Sequence, residues 1–201
     1  MDKLTPRATT LIESPALSER LGADVTLASE TFQRTGSFKF RAAANVVRNI
    51  PHPAVITGSS GNFGQAMAYA CQLAGKRCTV VMPHNSVQVK VDAVRGYGAT
   101  VDLVDTTQVP RAVRVAELAA ADPAAYVASP YDDPFVIEGN ATLAHELAAV
   151  RPAFDSVVVQ VGGGGLSAGI VQGFADVDAH TAVVGAEPLM ANDAAESLRN
   201  G

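Results

Sequence analysis

An α/β protein, with parallel sheets and helices on both faces, is what this sequence predicts, and three observations predict it. Short apolar runs rich in Val, Ala and Ile alternate with stretches of helical period from residue 54 onward. Glycines stand where helices should close, at Gly75 and Gly98. The composition, 48% apolar and 17% charged over 201 residues, suits interior parallel strands covered by helices and is ample for a buried core.

Taken in order, the run 54–57 reads as a strand that ends in the turn Gly58-Ser59-Ser60-Gly61-Asn62 and leads into a helix over 63–74. A strand over 78–82, a helix over 87–97 and a strand over 100–104 follow, then a helix over 110–121, a short strand over 126–128 and a helix over 137–150. Late in the chain, strands over 156–161 and 181–186 flank a helix over 167–174. Such wiring implies parallel pairing with right-handed crossovers. The stretch Ser129-Pro130-Tyr131-Asp132-Asp133-Pro134 is the best domain boundary. The chain is therefore expected to divide into a larger unit, 1–53 with 129–201, and a smaller inserted α/β unit, 54–128.

A net charge of −5 without a local Lys/Arg cluster argues against nucleic acid as a partner. The first residues lack a secretory apolar stretch, and no run approaches the roughly 18 apolar residues of a membrane span, so a cytoplasmic protein is expected. Cys71 and Cys78 lack the partners of a metal site and read as buried free thiols. His52, His84, His145 and His180 are scattered singly and read as surface or capping residues.

Two loops carry the chemistry. Gly58-Ser59-Ser60-Gly61-Asn62 lies between a strand end and a helix start, where backbone N–H groups and hydroxyls can cradle a carboxylate or phosphate, or simply cap the helix. A dinucleotide fingerprint is not met, because the glycines run Gly58, Gly61, Gly64 and the next strand ends Met82-Pro83-His84 without an acidic residue. A P-loop is absent too, since Gly75-Lys76 is followed by Arg77. The second loop, Gly162-Gly163-Gly164-Gly165, follows a Val strand and precedes a helix, so backbone without Cβ atoms can wrap a phosphate. Together these loops give meaning to Lys39, in Thr35-Gly36-Ser37-Phe38-Lys39-Phe40-Arg41: they supply what a lysine-bound aldehyde phosphate needs.

On these residues the chain resembles the fold-type II pyridoxal-phosphate enzymes (the tryptophan synthase β-like fold), in particular the serine/threonine dehydratase and serine racemase group. The resemblance runs through Ser14-Pro15-Ala16-Leu17-Ser18, the lysine block, Ser59-Ser60-Gly61-Asn62, Pro130-Tyr131-Asp132-Asp133, the glycine loop to Leu166, and Gly185-Ala186-Glu187-Pro188. It implies that Lys39 carries pyridoxal 5'-phosphate (PLP) as a Schiff base, Phe38 packs by the cofactor ring, and Asn62 bonds the pyridine hydroxyl. Gly162, Gly163, Gly164 and Gly165 would hold the phosphate. Ser59, Ser60, Gly61 and Asn62 would grip the substrate carboxylate, with Ser60 the proton-transfer residue opposite Lys39. Glu187, Ala191 and Asp193 fall where relatives bind a divalent cation, Mg²⁺ or Ca²⁺, through oxygen ligands.

The implied reaction is β-elimination on serine or threonine, giving a 2-ketoacid and ammonia, in a homo-oligomer, a dimer, acting on a small amino acid. Racemisation and β-replacement are alternatives on the same fold; a non-catalytic interaction protein that keeps the fold is an alternative of another class. The sequence departs from the family pattern at Phe63, where an imidazole or tyrosine commonly follows the Asn, at Ala28-Ser29-Glu30 and at Arg41-Ala42. Family members also run on by roughly a hundred residues, a domain-sized fraction. The sequence thus leads one to expect a fragment, a partner to a second chain or a degenerate relative, poorly soluble or oligomeric and weakly active when expressed alone.

Overall fold

A computed structural model describes residues 2–150, 154–177 and 180–200. The centre is a parallel sheet of order β5-β4-β3-β6, built from β3 (Ala54–Gly58), β4 (Arg77–Pro83), β5 (Thr100–Val104) and β6 (Ala125–Ala128). Val55 faces Cys78 on one side and Tyr126 on the other, so β3 is paired along both edges and buried through Thr57. That is why it reads as a continuous apolar run rather than an alternating one. Helices α3 (Asn62–Ala74), α4 (Gln88–Gly96) and α5 (Arg111–Ala121) cover the sheet. Gly75, at φ +68°, closes α3 in the left-handed conformation, as the sequence predicts.

Four elements precede the sheet that the sequence pattern did not reveal. β1 (Thr10–Glu13) and β2 (Thr26–Ser29) pair antiparallel around α1 (Pro15–Leu21), so the sheets are not uniformly parallel. α2 (Lys39–Asn49) begins at the lysine itself. Its buried residues Phe40, Val46 and Val47 join Val55, Val80 and Met67 in one core. Each such side chain contributes about 1.5–3 kcal/mol on full burial.

α6 (Pro134–Val150) starts three residues earlier than the periodicity indicates, because Asp133 supplies its N-terminal cap: Asp133 Oδ1 accepts the Phe135 N–H at 2.9 Å. β7 (Ser156–Gln160), α7 (Gly165–Asp176) and β8 (Ala182–Ala186) form a parallel β-α-β unit. A second core holds Leu143 and Leu147 of α6, Ile170 and Phe174 of α7, and Val159. α8 (Asp193–Asn200) is the last helix.

α7 lies backbone to backbone on α6. A Cβ at Gly169 would stand 2.6 Å from the Ile137 carbonyl oxygen, and one at Gly173 would stand 2.4 Å from that of Ala141. α6 meets α2 in the same way, a Cβ at Gly139 lying 2.7 Å from Ala42 Cα. Cys71 and Cys78 are buried free thiols, as expected. His84 and His145 sit exposed against Asp105 and Asp176, whereas half-buried His52 packs on Tyr126 with ring centroids 5.4 Å apart. Among the described residues no helix is long and apolar enough to cross a membrane.

Candidate active site

Lys39 opens α2, and the helix start aims its side chain across to the loop after β6 rather than into solvent. Nζ donates to the Pro130 carbonyl oxygen at 3.0 Å. It lies over two aromatic faces, 4.9 Å from the Phe38 ring centroid and 5.6 Å from that of Phe63. Burial lowers the Lys39 pKa below the usual lysine value, and no charged neighbour contributes to that shift. The amine is thus biased towards the neutral form that a nucleophile or base requires.

Two residues further along α2, Arg41 is 1% exposed and fixes the surroundings. Its Nε and Nη2 donate to the two carboxylate oxygens of Glu30 at 2.7 and 2.9 Å. Nη1 reaches Glu146 Oε1 at 2.8 Å, and Nη2 reaches Thr9 Oγ1 at 2.8 Å. One guanidinium therefore ties the loop after β2 and the segment before β1 to α2 and α6.

Lys39 and the glycine loop share a cavity of about 260 Å³, lined also by Phe38 and Tyr131. Gly164, at φ +86°, turns the chain into α7, and no side chain caps that helix, so its first N–H groups remain free for an anion. A Cβ at Gly162 or Gly164 would meet nothing within 4 Å, which leaves room beside the backbone for a phosphate. Gly163 and Gly165 serve a different purpose. A Cβ at Gly163 would stand 2.4 Å from Tyr131 Cδ1, and one at Gly165 2.5 Å from the Tyr131 carbonyl oxygen, so these two glycines admit Tyr131. Beneath the loop, fully buried Asn140 donates from Nδ2 to the Gly165 carbonyl oxygen at 3.0 Å.

The serine loop leads into α3 with Ser59 N–H held by the Val81 carbonyl oxygen at 3.1 Å. Ser59 Oγ accepts the Gly61 N–H at 3.3 Å, and no side chain caps α3. Asn62 is exposed and joins Ser37 and Phe38 around a neighbouring cavity of about 330 Å³. Ser37 Oγ is buried there without a hydrogen-bond partner, a polar atom for a ligand to satisfy. Ser59, Ser60 and Gly61 line neither cavity. The three residues expected at a cation site lie apart from this cleft. Glu187 instead receives the start of α8, its Oε1 and Oε2 accepting the Ala194 and Ala195 N–H groups at 3.2 and 3.0 Å. Ala191 and Asp193 are exposed. Among the described residues no group of three or more His, Cys, Asp or Glu could hold a metal.

Sequence reasoning missed Pro130 and Tyr131 as site residues, although both fall in a stretch that carries the family resemblance. It also missed Asn140. A carbonyl contact leaves no mark in the residue type, and Asn140 does not stand out in a helix that also carries Glu138, Thr142, His145 and Glu146.

A half-buried lysine facing a cap-free glycine turn across one cavity, on a parallel α/β scaffold, defines a protein built to hold an aldehyde phosphate. The chain belongs to the family of pyridoxal-phosphate dependent enzymes, which matches residues 3–201. It is 37% identical over 199 residues to L-threonine ammonia-lyase of Geobacter sulfurreducens, covering 97% of this chain and 49% of that protein. It is 36% identical to β-hydroxyaspartate dehydratase of Paracoccus denitrificans, covering 63% of it, and 34% identical to human serine racemase, covering 58%. Among solved structures, serine racemase of Dictyostelium discoideum superimposes with a TM-score of 0.92 at 33% identity, over 98% of this chain and 65% of that one. Threonine deaminase isoform 2 of Solanum lycopersicum gives 0.91 at 34% identity, over 98% and 59%. The chain thus spans between about half and two thirds of the length of these relatives.

Proposed function

We propose that this chain carries the cofactor-holding half of a PLP-dependent lyase that removes the β-hydroxyl of serine or threonine and yields a 2-ketoacid and ammonia. The observation that carries the reading is the amine of Lys39, flanked by two aromatic rings and sharing one cavity with the glycine loop. The residues fit PLP: Gly162 and Gly164 leave space for a phosphate, the first N–H groups of α7 point to it, and Lys39 has no carboxylate to hold it back. When bound, PLP supplies an electron sink for the Cα carbanion.

The remaining work belongs to the chain. Lys39 Nζ would hold the aldehyde and, as a free amine, would take the Cα proton. Phe38 excludes water from one side of that amine. The backbone of Ser59, Ser60, Gly61 and Asn62 receives the substrate carboxylate at the α3 terminus, and Ser60 Oγ moves a proton on the opposite face. Racemisation is the second reading, favoured by the superposition on serine racemase. The division into 1–53 with 129–201 and 54–128, a dimer, and a Mg²⁺ or Ca²⁺ ion at Glu187, Ala191 and Asp193 belong to the same proposal.

Purified protein incubated with PLP should gain a visible absorption band, which borohydride bleaches as it leaves the reduced cofactor fixed on Lys39, as read by peptide mapping. L-serine or L-threonine should then give ketoacid and ammonia, whereas appearance of the D-enantiomer would select the racemase reading. In Lys39→Ala the band should vanish while the fold persists; label on another lysine refutes the assignment.

A further inference from the structure

We propose that Phe63 is a positioning residue for Lys39: its ring face and that of Phe38 form an aromatic slot that holds the amine at the Pro130 carbonyl and sets how readily it sheds its proton. Phe63 is 2% exposed and follows Asn62 directly, so the helix that starts at the serine loop delivers the ring to the lysine. Nζ lies 5.6 Å from the Phe63 centroid and 4.9 Å from that of Phe38, both within the range in which a ring quadrupole attracts an ammonium. The third direction is taken by the Pro130 carbonyl at 3.0 Å.

Two opposing effects meet at this nitrogen. Burial disfavours the ammonium, and the ring faces favour it. Phe63 contributes to both, because it keeps water out and also presents its negative face. Among the described residues no charged group contributes to the Lys39 shift. On α2, Arg41 is neutralised by Glu30 and Glu146, and Arg48 pairs with Asp2. On α6, Glu138 bonds Asn45 and His145 bonds Asp176. α3 carries Tyr69 and Cys71 as its titratable groups. On the loop after β6, Tyr131 lines the same cavity, while Asp132 and Asp133 are engaged by Ser129 and Tyr126. Burial alone accounts for the direction of the Lys39 shift.

This inference deepens the reading of Lys39 as the cofactor lysine, but its test does not need the cofactor. Reductive methylation with ¹³C-formaldehyde and NMR titration of the cofactor-free protein reads the pKa of the dimethylated Lys39 amine, compared between variants. Phe63→Leu keeps the slot dry and removes the quadrupole, so that pKa should fall by about half a unit or more. Pentafluorophenylalanine at position 63 keeps the shape and reverses the quadrupole, and should lower it further; it also keeps the test decisive if the leucine variant folds poorly. An unchanged Lys39 pKa in both Phe63 variants, or a rise in either, overturns the proposal. Absence of the PLP band in a protein that shows these shifts would refute the cofactor reading alone.

Discussion

Burying an amine strips the ammonium of hydration, and Lys39 bears that penalty without a carboxylate to offset it. Its folded pKa lies below the ordinary 10.5, so the unfolded chain binds more protons between those two values. The contribution of Lys39 to stability therefore rises with pH across that window and is least favourable below it. Lys39→Met should raise the denaturation midpoint at neutral pH and abolish that rise, as measured by urea titrations from neutral to alkaline pH. Gly163→Val tests the glycine loop. Its side chain would strike the Tyr131 ring, so the variant should lose stability even without cofactor, by about 1–3 kcal/mol for an overpacked site, and should retain PLP poorly. The sequence assigns Gly163 to a phosphate; in the structure a Cβ there meets Tyr131 first. Lys39 and the glycine loop stood out in the sequence because an amine and the lack of a Cβ are properties of residue type; that Gly163 and Gly165 make room for Tyr131 was not legible. Pro130 was not, since any residue offers a carbonyl, and Tyr131 was not, since its contact depends on how the loop after β6 meets α7.

At the scale of elements, β3 through β7 were legible from periodicity and glycine stops, within a few residues at each end. The β1–β2 pair and the start of α2 were not, because what holds them is a side-chain network between distant segments. Arg41 joins positions 9, 30 and 146, separations to which no local pattern is sensitive. Arg41→Ala should leave Glu30, only 9% exposed, without its partner and cost about 3–5 kcal/mol, read as a drop in the denaturation midpoint. Burial raises the Glu146 pKa, but Arg41 and the Thr9 N–H and hydroxyl more than offset this and leave it below the ordinary 4.5. The stabilisation from that carboxylate is therefore complete above about pH 4.5 and lost as pH falls through the folded value. Glu146→Gln should flatten the acid limb of the stability profile.

At the scale of the whole molecule, Lys39 stands at the head of α2 and the glycine loop at the head of α7, with α6 between the two helices. Both contacts of α6 are made through glycine: Gly139 against α2, and Gly169 and Gly173 against α7. Gly139→Val should push α2 from α6 and weaken PLP retention although position 139 lines neither cavity, a loss measurable by dialysis of the loaded protein. Side chains rotate and repack, but peptide planes in contact leave almost no slack. The span from amine to phosphate cradle is thus gauged by two stacked backbones, like a distance set by the thickness of a plate. The serine loop leads into α3, outside that plate, so the spacing of α2 from α7 does not run through it.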